Sequence, residues 1–283
     1  MIGTLRASFF VLALVAGLLL PSAGAQADDE QHLVMTRSPK MSGSPRVAHT
    51  LSVSKPLFRH APDKTSYRWM KDGKPITGAW KPTYRVSWRD LGHRISVRTV
   101  STRPGYVTRV FDTPARTIGH RKAWRRTVTY SVQTRGRIVA GVENFKKMSN
   151  ETLNHPRGWR SDGIAFRRVA TGGSMILVLS EARKVPSFSS SCSAQWSCRV
   201  GKYVVINQDR WQDASSSWNR AGGSLRDYRH MVVNHETGHW LGWGHRGCSS
   251  GAAPVMTQQS IDLQGCRFNP WPLTSELNVP RYR

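Results

Sequence analysis

Eleven consecutive residues constrain this chain more than any others: His235-Glu236-Thr237-Gly238-His239-Trp240-Leu241-Gly242-Trp243-Gly244-His245, three imidazoles and one carboxylate at fixed intervals. Residues four apart on an α-helix lie on one face a turn apart, so His235 and His239 can aim ring nitrogens at a single ion. Glu236 stands about 100° further round the helix, within reach of a water at that ion without being a ligand. A straight helix beyond Leu241 would carry later side chains away. Glycine tolerates positive φ, so Gly242 lets the helix stop and the chain turn back, returning His245 as a third ligand. Three protein ligands leave a tetrahedral zinc ion one open position for water, the arrangement of a catalytic rather than a structural ion. Glu236 is thereby the candidate general base.

The helix that carries these residues is signalled independently. Gly222-Gly223 breaks the preceding segment, Ser224 is a favourable N-cap, and Asp227 stands three residues on, as in a capping box. Leu225, Tyr228, Met231, Val232, His235 and His239 then recur at three- and four-residue spacing, so one buried stripe also holds the ligands. The spacing predicts a helix over about residues 225–241. His230 is read as an ordinary helix histidine.

This string resembles that of the metzincins, zinc peptidases in which the extended histidine pattern is followed by a methionine turn. The matching turn is Pro254-Val255-Met256-Thr257, and the resemblance implies that Met256 packs beneath the metal site as a hydrophobic base. The segment from about residue 127 to 278 also resembles a secreted actinobacterial domain family of unknown function, metzincin-like in its motif. The resemblance implies an α+β zinc peptidase domain over residues 127–283, a twisted sheet backed by helices, with His235, His239 and His245 holding Zn2+ and a protein or peptide as substrate. Some metzincins carry a tyrosine two residues after the methionine that assists the oxyanion; here that position is Gln258, so the oxyanion stabiliser is unassigned. No cysteine precedes Cys192, which removes a cysteine-switch latency from any N-terminal segment.

The strands expected ahead of the helix are residues 127–132, 164–169, 175–179 and 203–207, with a first helix over residues 137–148. The serine-rich stretch 186–199 is read as a surface loop, with the rim of the cleft as the other reading.

The chain opens with a leader-like segment: Arg6, an apolar run over residues 9–20, then Ala23-Gly24-Ala25 as a small-residue cleavage pattern. A signal peptide over residues 1–25 follows, with Ala27 as a second cleavage point. Twelve apolar residues are too few to span a bilayer comfortably. No cysteine stands near the cleavage site to take a lipid, so the mature protein is expected to be secreted and extracellular, with no transmembrane anchor. Four cysteines in an exported chain point to disulfides rather than metal ligands, there being no close Cys-x-x-Cys pair. Of three connectivities, Cys192 with Cys198 and Cys248 with Cys266 is favoured: each joins neighbours, and the second would brace the loop carrying Met256.

A formal charge of +25 favours anionic surroundings, with anionic cell-wall polymers among the partners. The basic residues are scattered, and no recognition helix, zinc finger or aromatic RNA-binding motif accompanies them, so no specific nucleic-acid partner is expected. The densest run, 120–126, is read as part of an exposed basic linker over residues 117–126 and as a candidate cleavage site.

Between a short N-terminal segment, 26–38, and that linker, residues 39–116 alternate short apolar strands with turns: Leu51 and Val53, Tyr67 and Trp69, Tyr84 and Val86, Ile95 and Val97. Lys71-Asp72-Gly73-Lys74 is a hairpin signal. With its Tyr-x-Trp strand and Asp90-Leu91-Gly92, the stretch resembles bacterial immunoglobulin-like repeats, which implies an all-β sandwich serving as spacer or adhesive unit. The expected function of the whole is a secreted zinc-dependent endopeptidase, a hydrolase using metal-activated water with Glu236 as base. The alternative is a cell-wall-associated binding or adhesion protein with a catalytically silent zinc domain. The presence of Glu236 argues against it, since a structural ion has no use for a general base.

Overall fold

A computed structural model describes residues 31–282, and the leader expected over residues 1–25 lies outside them. The protein mixes α-helix and β-sheet, with several sheets and few helices. In the N-terminal part, a five-stranded antiparallel sheet is organised about the strand Arg94–Thr102, which pairs with Lys64–Lys71, Arg109–Asp112 and Arg116–Thr117, while Lys74–Pro75 pairs with Lys64–Lys71. A three-stranded sheet holds Met41–Ser42, Thr50–Val53 and Thr83–Arg85. The period-two pattern does its work here: Ile95, Val97, Thr99 and Ser101 are buried while the residues between them are not. Leu51, Val53, Trp69, Val86, Ile95 and Val97 share one core. At the hairpin, Asp72 and Gly73 both have positive φ, 48° and 78°, the type I′ geometry that matches strand twist.

The second sheet positions the site. Its strands are β1 (Arg126–Arg135), β2 (Ile164–Arg168), β3 (Met175–Ser180), β4 (Cys198–Val200) and β5 (Tyr203–Asn207), in the order β2-β1-β3-β5-β4. All neighbours are parallel except the edge strand β4, which runs antiparallel to β5. β3 is apolar from Met175 to Leu179 and buried on both faces, as a central parallel strand requires. Met175, Leu177 and Leu179 face α1 (Val142–Asn154) and, beyond the short helices α2 (Gln208–Asp213) and α3 (Ser216–Arg220), α4 (Leu225–Trp240). Ile176 and Val178 face a 3-10 segment, Ala182–Phe188, and the Cys192 loop.

One expectation is corrected. The first helix is α1, Val142–Asn154, rather than residues 137–148. Tertiary hydrogen bonds claim its expected first turn: Arg137 N–H donates to Glu181, Val139 N–H donates to the Gln208 amide oxygen, and the Gln208 amide donates to Arg137 O. The basic run at 120–126 is exposed but tied down. Lys122 and Arg125 pair with the fully buried Asp162 at 2.5 and 2.6 Å, and Arg125 also donates to Tyr282 O.

A second junction joins the two parts of the chain. The Arg157 guanidinium lies 4.5 Å from the Trp88 ring and 4.4 Å from the Trp271 ring, and His155 stacks on Trp271 at 4.2 Å. Such stacks contribute about 0.5–2 kcal/mol each, more as water is excluded. Among the described residues no helix is long and apolar enough to cross a membrane.

Candidate metal centre

The site is built on α4. Ser224 caps it, its side chain accepting from Asp227 N–H, and the apolar stripe Tyr228, Met231 and Val232 buries it against the sheet. At the other end Gly242 adopts φ +98°. Its N–H donates to His239 O at 3.1 Å and the N–H of Trp243 donates to Gly238 O at 3.0 Å, the paired bonds of a Schellman stop. The chain therefore reverses within three residues of the last helical turn, bringing His245 back over the helix.

Three ring nitrogens converge as a result. His239 Nε2 lies 3.1 Å from His235 Nε2 and 3.2 Å from His245 Nε2, and one nitrogen from each ring falls within 4.8 Å of the others. Two of the rings are oriented from behind: His235 Nδ1 donates to Val255 O and His239 Nδ1 donates to Trp243 O, each at 2.8 Å. A carbonyl can only accept, so these rings carry their protons on Nδ1 and turn bare Nε2 lone pairs toward one another. Lone pairs at that distance repel unless a cation sits among them. Burial holds all three imidazoles below the usual histidine range, His235 down to about 3, which keeps them neutral and fit to bind metal.

Beneath the rings, Met256 is fully buried and packs against Gly238: a Cβ placed on Gly238 would meet Met256 Sδ at 2.2 Å. Only glycine lets the thioether come this close. Thr257 N–H closes the turn on Pro254 O at 3.0 Å. The residue that pins the turn is Glu276, which had no signal in the sequence. Its fully buried carboxylate accepts from Val255 N–H and Met256 N–H at 2.9 Å each and from Leu273 N–H at 2.7 Å. Val255 in turn orients His235, so Glu276 acts on that histidine through one residue. Burial raises the Glu276 pKa, and these backbone donors oppose that rise.

Glu236 borders a cleft of about 450 Å³ together with the three histidines. Its side chain forms no ion pair or hydrogen bond with any described residue, and burial pushes its pKa up to about 8. The walls come from Gln258 and Ile261 on one side and from the Cys192–Cys198 loop, with Trp196 and Arg199, on the other. The stretch read as a surface loop thus supplies the rim. Both disulfides join neighbours, Cys192–Cys198 bracing that rim and Cys248–Cys266 closing the loop that carries Met256. His230 lies outside the cleft, buried, with Nδ1 2.7 Å from Thr152 Oγ1.

The model of a family described as "Protein of unknown function (DUF3152)" matches residues 98–268, more than half of the 283 and inclusive of all three histidines, Glu236 and Met256 but not Glu276. No curated protein matches the chain.

Proposed function

The chain belongs to this DUF3152 family of proteins of unknown function, and from the site itself we propose that it is a secreted zinc-dependent endopeptidase, metzincin-like in its catalytic domain. The observation that carries the reading is the convergence of three Nε2 atoms beside a buried, unpartnered carboxylate in an open cleft. Nitrogens about 2.0–2.1 Å from a tetrahedral zinc stand about 3.3 Å apart; the two spacings from His239 are 3.1 and 3.2 Å, and all three nitrogens lie within 4.8 Å of one another. The all-imidazole donor set suits zinc over the oxygen-seeking calcium or magnesium.

His235, His239 and His245 would hold the ion. Zinc in such a site supplies an acidified water and polarises a peptide carbonyl. Glu236 takes the proton shed as water attacks and passes it to the departing amine; a carboxyl with raised proton affinity is matched to both transfers near neutral pH. Met256 and Glu276 keep the ligand rings in register. The edge strand β4 offers a free main-chain ladder to an extended peptide beside the cleft. Two disulfides support an exported protein. We read the N-terminal sheets as an immunoglobulin-like spacer, and the surplus of basic residues as favouring anionic wall polymers.

The test is digestion of a broad peptide library by the purified protein with and without chelator. Cleavage should stop on chelation and return with zinc. Glu236→Gln should retain zinc while losing about 10²–10⁴-fold in rate, and His239→Ala should lose both metal and activity. Absence of chelator-sensitive cleavage, together with saturable binding to isolated walls, would replace this reading with that of a wall-binding protein.

A further inference from the structure

We propose that Arg199 makes the cleft selective for substrates bearing a carboxylate side chain next to the bond that is cut, an inference that rests on the endopeptidase reading. The argument begins with register. Arg199 pairs with Val204, and directly opposed residues share a face of a sheet. Val204 packs into the core under α4, so Arg199 projects to the α4 side, where the histidines lie. Its neighbours do the opposite: Cys198 and Val200 pair with Val205 and Tyr203 and pack on the far face. The disulfide to Cys192 anchors the strand at the residue before Arg199.

The chemistry of the cleft then points to the ligand. Apart from the histidines and Glu236, Arg199 is the one ionisable group among the described residues that line it; the rest are serines, glutamines and apolar side chains. The guanidinium is exposed and forms no ion pair or hydrogen bond with any described residue, so its planar fork of donors is free. It lines the same cleft as Glu236 and His239, which places it beside the reacting centre. A planar fork takes a carboxylate through two parallel hydrogen bonds. An arriving lysine or arginine meets like charge and is disfavoured.

The experiment compares kcat/KM for matched peptides that differ only by Asp against Asn, or Glu against Gln, at positions flanking the cut. The wild-type protein should favour the acid by about fivefold, the scale of one partly exposed ion pair, with a ratio that shrinks as salt is raised. Arg199→Gln should bring the ratio to about one, and Arg199→Glu should invert it toward lysine-bearing peptides. A ratio near one in the wild type, or one that survives Arg199→Gln, overturns the proposal. So does an equal fall in kcat on both peptides with the ratio intact, which would mark Arg199 as an oxyanion stabiliser. Binding of the same peptides to the zinc-loaded Glu236→Gln protein, followed by fluorescence anisotropy, separates the two readings. An acid preference that depends on Arg199 in a protein whose parent cuts nothing sinks the peptidase and leaves Arg199 as the carboxylate-binding group of the cleft. Cleavage with no acid preference in rate or binding sinks this inference and keeps the peptidase.

Discussion

Two of the three clustered histidines are held from behind, and the hold reaches further than the motif. His235 donates to Val255 O, and Val255 is itself gripped by Glu276, which lies forty-odd positions downstream of the histidine. Replacing Glu276 with Gln keeps shape and volume but turns an amide NH2 toward a backbone N–H, two donors face to face. The turn should loosen and zinc affinity should fall by about tenfold, at the lower end for groups that orient ligands from behind. Competition with a chromophoric chelator measures it, and an affinity equal to wild type would show that Glu276 only stabilises the loop. At this scale the sequence was legible where chemistry is local. Spacing alone singled out His235, Glu236, His239 and His245, because a helical turn and a glycine stop are short-range facts. Glu276 was invisible, since nothing near it in the chain says that it will meet the methionine turn; Arg199 fell within a stretch for which the cleft rim was only the second reading.

The stop of α4 is the element on which the return of His245 to the cluster depends. Gly242 sits at φ +98°, and a Cβ there would also meet Pro280 Cβ at 3.0 Å. Gly242→Ala should cost about 1–2 kcal/mol from the left-handed backbone alone, displacing His245 relative to the helix. Thermal melts and zinc titrations of the variant should show both a lower Tm and weaker binding; unchanged zinc affinity would mean that His245 reaches the centre without this stop. The contrast between helices is instructive. α4 followed its pattern almost to the residue, since an apolar stripe with a cap and a glycine stop leaves few alternatives. α1 began five residues later than its pattern suggested, because Glu181 and Gln208 bond to the backbone of residues 137–139 and hold it out of the helix. β4, three residues long, is too short to leave any periodic trace.

Across the whole molecule, the buried Asp162 ties the basic segment before β1 to the C-terminal half. Burial alone would raise its pKa, but hydrogen bonds from Lys122, Val279 N–H and Arg125 outweigh that and hold the carboxyl below the ordinary value. A depressed pKa stabilises the fold fully above the unfolded value of about 3.9, and that contribution is lost as pH falls through the folded pKa. Asp162→Asn should therefore cost about 1–3 kcal/mol at neutral pH, discounted for the partly exposed cations. The gap between variant and wild type should close as the pH drops below about 4. Denaturant melts across that range check this, and a gap independent of pH would show that packing, not charge, is what the mutation removes.

What the sequence by itself determined is which side chains cluster at the centre and that the chain mixes helix with sheet, because both rest on periods of two, three and four residues. The tertiary structure alone decided which distant residues serve that centre. It brought the Cys192–Cys198 loop to the rim, Arg199 to the cleft, Glu276 beneath the turn and Asp162 under the basic segment. The physical reason is register: which face of a short edge strand points at the helix, and where a C-terminal loop returns, depend on the packing of elements far apart in the chain.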